Sequence, residues 1–256
     1  EQRKSPLEEH LQAFEESLAT NTPKYVDDTL KRIRVVVKGD GLAKLEDIQA
    51  ERVQKFLRNL RETTDLARRT YNHYLQAFNS FCNWCVVTGR LVANPLRSLE
   101  TLNAEIDVRH PRRALTPDEV SRLIAATRVS RKKAQSLIPE VRCRVYLFSY
   151  LTGLRKQEMA SLTPNSFRLD DEQPTVTVAA ACSKHRRKDV LPLHPELVVE
   201  LRRWLEGLRP EEKLFPLLGR KKLSVMIQAD LKRAGIPYRT AEGIADFHAA
   251  GRHTYI

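Results

Sequence analysis

Thr152-Gly153-Leu154-Arg155-Lys156-Gln157-Glu158 follows a run of apolar residues, Val141, Val145 and Phe148, set at helical spacing. Gly153 permits a sharp break after that helix, because a glycine accepts the left-handed backbone that closes helix C-termini. Downstream, Thr175-Val176-Thr177-Val178-Ala179 alternates like a strand and Val190 to Leu193 is apolar again. Between them lies a basic turn, Ser183-Lys184-His185-Arg186-Arg187-Lys188, so the two runs read as a hairpin. Further helices are expected around Leu197 to Leu208 and Val225 to Ala234. The region is therefore mainly α with a small antiparallel β-sheet.

Upstream of this segment, Thr116-Pro117-Asp118-Glu119 announces a helix: Thr116 caps it, Pro117 suits its first position and Glu119 closes a capping box. Before it the periodicity lapses into a polar stretch containing Pro111 and two arginines, which we take as a linker over residues 104–113. Residues 1–103 read as four short helices without strands. Their faces are Leu7, Leu11, Phe14 and Leu18; then Val26, Leu30, Ile33 and Val37; then Val53, Phe56, Leu57 and Leu60. The clearest stripe is Tyr71, Tyr74, Leu75, Phe78, Phe81, Cys82 and Cys85, ended by Gly89 and followed by an Asn94-Pro95 turn. The expected domains are 1–103, a helical bundle, and 114–256, the mixed domain.

The 256 residues carry a formal net charge of +12, with 41% hydrophobic and 30% charged residues. Such an excess of Lys and Arg points to a polyanionic partner, since those side chains displace counterions from nucleic-acid phosphates. A soluble basic protein of another kind is the plain alternative. No window reaches the roughly 18 to 20 apolar residues of a membrane span, and Glu1 to His10 has no apolar, signal-like core. The four cysteines make no disulfide framework or paired zinc knuckles. Cys82 and Cys85 fall in an apolar stripe, so buried reduced thiols in a cytoplasmic protein are expected.

Three separated segments deserve to be read together: Thr152 to Glu158, Ser183-Lys184-His185-Arg186, and His248-Ala249-Ala250-Gly251-Arg252-His253-Thr254. Alone, each has a dull explanation: a solvated arginine, a surface turn, a structural histidine. In this order they resemble the catalytic domain of tyrosine recombinases, the phage-integrase family. There a T-G-L-R-x-x-E segment is followed by a hairpin lysine and an H-x-x-R-H-T-like segment. The first domain is similar to the family's helical core-binding domain, with Thr70-Tyr71-Asn72 before the long helix and Trp84, Gly89, Asn94 and Pro95 after it.

The resemblance implies site-specific DNA recombination through a 3′-phosphotyrosine, with double-stranded DNA as partner, a homo-tetramer on DNA, and neither metal nor cofactor. Arg155 and Arg252 would hold the scissile phosphate, Lys184 would protonate the departing 5′-oxygen, and His248 would assist. Glu158 would support the arginine's helix and His253 would buttress the site. Planar guanidinium forks suit the first task because they stay charged and donate in-plane hydrogen bonds. Lys24, Arg68, Arg69, Thr70 and Asn72 near helix starts are candidates for DNA contact, with a solvated basic face as an equal contender.

Two departures qualify the match. Three residues separate His248 from Arg252 where the family has two. On an ideal helix the usual spacing puts the side chains about 60° apart and this spacing about 40° in the other sense, which keeps both on one face. Asp246 is expected to cap that helix. The family's nucleophilic tyrosine lies tens of residues beyond the second arginine. Tyr255 is too close to Arg252, and Tyr238 precedes the motif. The expectation is that the nucleophile lies past Ile256 and that these residues alone bind DNA without cutting it. The absence of an initiating Met leaves room for an upstream piece. A non-catalytic DNA-binding regulator on the same scaffold, a tyrosine-using topoisomerase and an RNA-binding protein are the competing readings.

Overall fold

The computed structural model describes residues 5–183 and 186–248. The chain divides into two compact units between Arg109 and His110, inside the stretch expected to be a linker. That stretch is tied down on both sides of the division. Arg109 bonds to Asp107 at 2.9 Å and to Asp65 at 2.9 Å, whereas Arg113 bonds to Glu119 at 2.8 Å and to the Pro237 carbonyl at 2.9 Å.

The first unit is built from α1 (Leu7–Ser17), α2 (Pro23–Gly39), α3 (Ala50–Thr64) and α4 (Arg68–Val87). The predicted faces are the buried ones: Leu7, Leu11 and Phe14; Leu30 and Ile33; Val53 and Leu57; and Tyr71, Leu75, Phe78, Phe81, Cys82 and Cys85. They form one core in which the Phe14, Phe78, Phe81 and Trp84 rings meet in tilted, edge and stacked contacts. α4 ends as expected, with Gly89 at φ +73° and the Arg90 amide donating to the Cys85 carbonyl at 2.8 Å. Burial pushes the Cys85 thiol up to about 12 and Cys82 higher still, so both stay protonated and inert. Cys143 is buried as well, but Cys182 is exposed, against expectation.

The second unit contains α5 (Pro117–Arg128), α6 (Pro139–Thr152), α7 (Lys156–Ser161), α8 (Pro195–Leu205) and α9 (Leu223–Arg233). β1 (Phe167–Arg168), β2 (Thr175–Val178) and β3 (Asp189–Pro192) make a three-stranded antiparallel sheet in that order, with Val176 opposite Leu191. β4 (Arg239–Thr240) and β5 (Gly243–Ile244) form a second, two-stranded ribbon. Thr116 caps α5 and Glu119 returns the bond to the Thr116 amide at 3.0 Å, the capping box read from the sequence. Among the described residues no helix is long and apolar enough to cross a membrane.

Candidate active site

The strand-poor second unit places its chemistry where α6 breaks. α6 stops at Thr152, whose hydroxyl donates to the Phe148 carbonyl at 2.6 Å, and Gly153 turns the chain at φ +63°. Buried Leu154 anchors the turn, so Arg155 arrives as the residue before α7. Glu158, one turn into α7 and 5% exposed, receives both the Arg155 amide at 2.7 Å and the Arg155 Nη1 at 3.0 Å. One carboxylate thus closes the helix start and holds one edge of the guanidinium. The remaining N–H groups of Arg155 have no partner among the described residues, and about a quarter of the side chain is exposed (28%).

Arg155 and Glu158 line a cavity of about 310 Å³ together with Lys156, Gln157, Cys182, Ser183 and His248. Segments more than ninety residues apart along the chain therefore converge, and all three motifs are represented at one hollow. A second hollow of about 640 Å³ shares Arg155 and Glu158 and continues along Arg187, Lys188 and Asp189 at the base of the hairpin. Ser183 is buried and donates to Asp189 at 2.6 Å, closing the hairpin across its basic turn. Lys184 itself lies outside the described residues, as do Arg252, His253 and Tyr255; the residue before Lys184 is at the site.

His248 is half-buried, with its ring 5.5 Å from Phe247, which in turn packs on Tyr146. Asp246 is ion-paired with Arg112 at 2.9 Å, and Arg112 lies in a parallel bridge with Ile244. Gly243 makes this approach possible: a Cβ there would sit 2.5 Å from the Pro111 carbonyl oxygen. Most of the stretch that Asp246 was expected to cap as a helix lies outside the described residues. Tyr238 packs against the core of the second unit and is not among the residues lining the hollow. A third cavity, of about 520 Å³ and lined by residues including Val120, Ile124, Leu147 and Leu151, is mostly apolar and holds none of the predicted catalytic residues.

The candidates in the first unit separate into two kinds. Asn72 spends both ends of its amide on Leu102, at 2.8 Å each, and the Arg68 amide is held by Asp107 at 2.7 Å. Those two residues fasten the chain after α4 to its start. Lys24 and Arg69 are exposed, without an ion pair among the described residues, and Thr70 is half-buried. Sequence reasoning missed Gln157, whose amide donates to the Gly219 carbonyl at 3.2 Å, and Lys156, whose ammonium donates to the Lys221 carbonyl at 3.2 Å. No pattern in the sequence links residues that far apart.

No family model and no curated protein sequence matches the chain. Solved structures do. A lambda integrase dimer bound to a COC′ core site superposes with a TM-score of 0.72 at 19% identity, over 99% of this chain and 69% of that one. A lambda integrase tetramer bound to a Holliday junction gives 0.70 at 19%, over 97% and 68%. The Tn1549 transposon integrase in complex with a circular intermediate DNA gives 0.66 at 12%, over 96% and 84%. At these identities the likeness is one of fold.

Proposed function

We propose that this chain, which has the tyrosine-recombinase fold, belongs to an enzyme of site-specific DNA recombination that works through a 3′-phosphotyrosine. The observation that carries the reading is the shared hollow of Arg155, Glu158, Ser183 and His248. In it a guanidinium held on one edge by a buried carboxylate lines a hollow of about 310 Å³, roomy enough to admit a phosphodiester, and its other donors have no partner among the described residues. The net charge of +12 supplies the matching long-range attraction to DNA.

The reaction assigned to this site balances without an outside energy source. A tyrosine Oη attacks the scissile phosphorus and gives up its proton to a basic group at the site or to solvent, the P–O5′ bond breaks, and Lys184 gives its own proton to the departing oxygen. The phosphotyrosyl ester keeps the bond energy, so a 5′-hydroxyl from a partner strand reverses the step and reseals the duplex. Arg155 and Arg252 stabilise charge on the non-bridging oxygens, and His248 assists beside them. Glu158 fixes the approach of Arg155. The enzyme works as a tetramer on paired sites in the cytoplasm. The resemblance puts the attacking tyrosine tens of residues beyond Arg252.

The test uses the full-length protein and a duplex nicked beside its cleavage position, which lets the short 5′ fragment escape. A covalent protein–DNA complex is expected, and Arg155→Ala should slow its formation by about 10²- to 10³-fold, the cost of losing one transition-state donor. Stable binding with no covalent complex would overturn the enzymatic reading.

A further inference from the structure

Two basic runs of the second unit have no role in the chemistry above. Arg131-Lys132-Lys133 lies between α5 and α6, and Arg220-Lys221-Lys222 precedes α9. All but the half-exposed Lys221 are exposed, and none of these side chains pairs with a carboxylate among the described residues. Most other arginines of the unit do have such a partner, as Arg122, Arg144, Arg202 and Arg209 illustrate.

The two runs are brought together by named contacts. The Lys222 amide donates to Gln135 Oε1 at 3.3 Å, which ties the second run to the loop that carries the first. Lys156 and Gln157, the residues directly after Arg155, hold the Lys221 and Gly219 carbonyls at 3.2 Å each. Arg142, with no exposed surface, donates from Nη1 to the Lys132 and Leu137 carbonyls at 2.9 Å each. Its other face is taken by fully buried Asp230, at 2.8 and 3.2 Å.

The first loop is also held in an unfavourable backbone. Gln135 and Ser136 sit at φ +52° and +63°, and the amides and carbonyls of Ala134 and Leu137 bond to each other at 3.1 and 2.9 Å. Non-glycine residues are disfavoured in that region and persist where surrounding structure imposes them. A buried ion pair, a strained turn and two tethers from α7 thus serve a common geometric end. They fix two tripeptides of uncompensated cations beside the helix that presents Arg155.

We propose that these two turns form a grip for the backbone of duplex DNA, engaging phosphates alongside the scissile one. The inference rests on the reading of the second unit as a DNA strand-exchanging domain, and it adds the surface that holds the double helix in register over Arg155. Phosphate contacts of this kind position a protein without reading sequence.

The experiment measures affinity of the full-length protein for a random-sequence duplex across a range of salt concentrations. Two triple variants are compared with wild type: Arg131→Gln with Lys132→Gln and Lys133→Gln, and Arg220→Gln with Lys221→Gln and Lys222→Gln. A control removes the same charge at exposed Arg168, Lys232 and Arg239, also to Gln. Each phosphate contact contributes about 0.9 to the slope of log affinity against log salt, so each grip variant should flatten it by about 2 to 3. The control should flatten it by less than about 1. Gln135→Ala, which uncouples the runs without removing charge, should weaken binding by a smaller factor. An unchanged slope in the grip variants, or an equal change in the control, overturns the grip while leaving the enzymatic reading intact. No salt-dependent duplex binding by wild type would instead overturn that reading.

Discussion

The two units bury different things. Among the described residues, no Asp, Glu, Lys or Arg of the first unit is buried, and its core is a continuous apolar cluster with His10 and Thr29 at its polar margin. The second unit buries Arg113, Arg142, Glu158 and Asp230. Each of these charges is multiply bonded. Asp230 alone accepts from Arg142, Tyr146 and Arg233. Burial and the neighbouring Asp230 charge push the Tyr146 hydroxyl far above its ordinary pKa, so it remains a donor in that network. The first unit is held by area removed from water, which tolerates exchange of one apolar group for another. The second is held by directional contacts, which fix where a guanidinium or a loop carbonyl points.

The most damaging way to probe that contrast is to remove the shared acceptor. Asp230→Ala leaves Arg142 buried without its carboxylate and should destabilise the second unit by about 3–5 kcal/mol, with the first unit's unfolding unmoved. Urea unfolding followed by tryptophan emission separates the two, since Trp84 reports the first unit and Trp204 the second. The companion Arg142→Met with Asp230→Leu should recover much of that stability while losing the hold on Lys132 and Leu137, because an apolar pair can replace a buried ion pair energetically but makes no hydrogen bonds. A loss below about 1 kcal/mol for Asp230→Ala would show that the network is not what holds this unit.

The same contrast decides what could be read without coordinates. The stripe Tyr71 to Cys85 and the box Thr116 to Glu119 were legible because periodicity and capping act over three or four residues, within the reach of a linear pattern. The hairpin, though not its register, followed from an alternating run and an apolar run on either side of a basic turn. Arg155 and Glu158 were singled out from the motif, but that Glu158 grips the guanidinium as well as the helix start was not, since only a side-chain rotamer reveals it. Arg142 and Asp230 are 88 residues apart and look in the sequence like any helix-surface charges. Gln135, whose amide joins two basic loops across 87 residues, carries no local signal at all. Asn72 shows a related limit: a polar residue near a helix start invites a ligand in the sequence, and no linear pattern announces that its amide meets Leu102.

A milder change tests the other half of the comparison. Ile33 has no exposed surface in the first unit, and Ile33→Val should cost about 0.5–1.5 kcal/mol, the loss of one methylene from a packed site. The effect should appear in the first transition alone. A cost of several kcal/mol would mean that this core is as position-sensitive as its neighbour.

The smallest expected effect concerns a titrating group of the first unit that sits among cations. Burial first, and then the charges of Arg32 on α2 and Arg69 a turn earlier on α4, lower the pKa of His73 below 6.5. The unfolded chain therefore takes up the proton before the folded one does. The sign follows from linkage: this contribution is complete above about pH 6.5, is lost as pH falls from there through the folded value, and is constant below it. Wild type should lose more thermal stability than His73→Gln between pH 7 and 5, and an NMR titration of His73 should give a midpoint under 6.5. A midpoint above 6.5, or a variant that tracks wild type, would contradict this. Salt sharpens the result further. Added salt screens Arg32 and Arg69 but leaves the partial desolvation of the ring as it is, so it should raise the midpoint only part of the way back. Full restoration would make His73 a sensor of the two arginines alone, and the first unit would then be governed by charge placement after all.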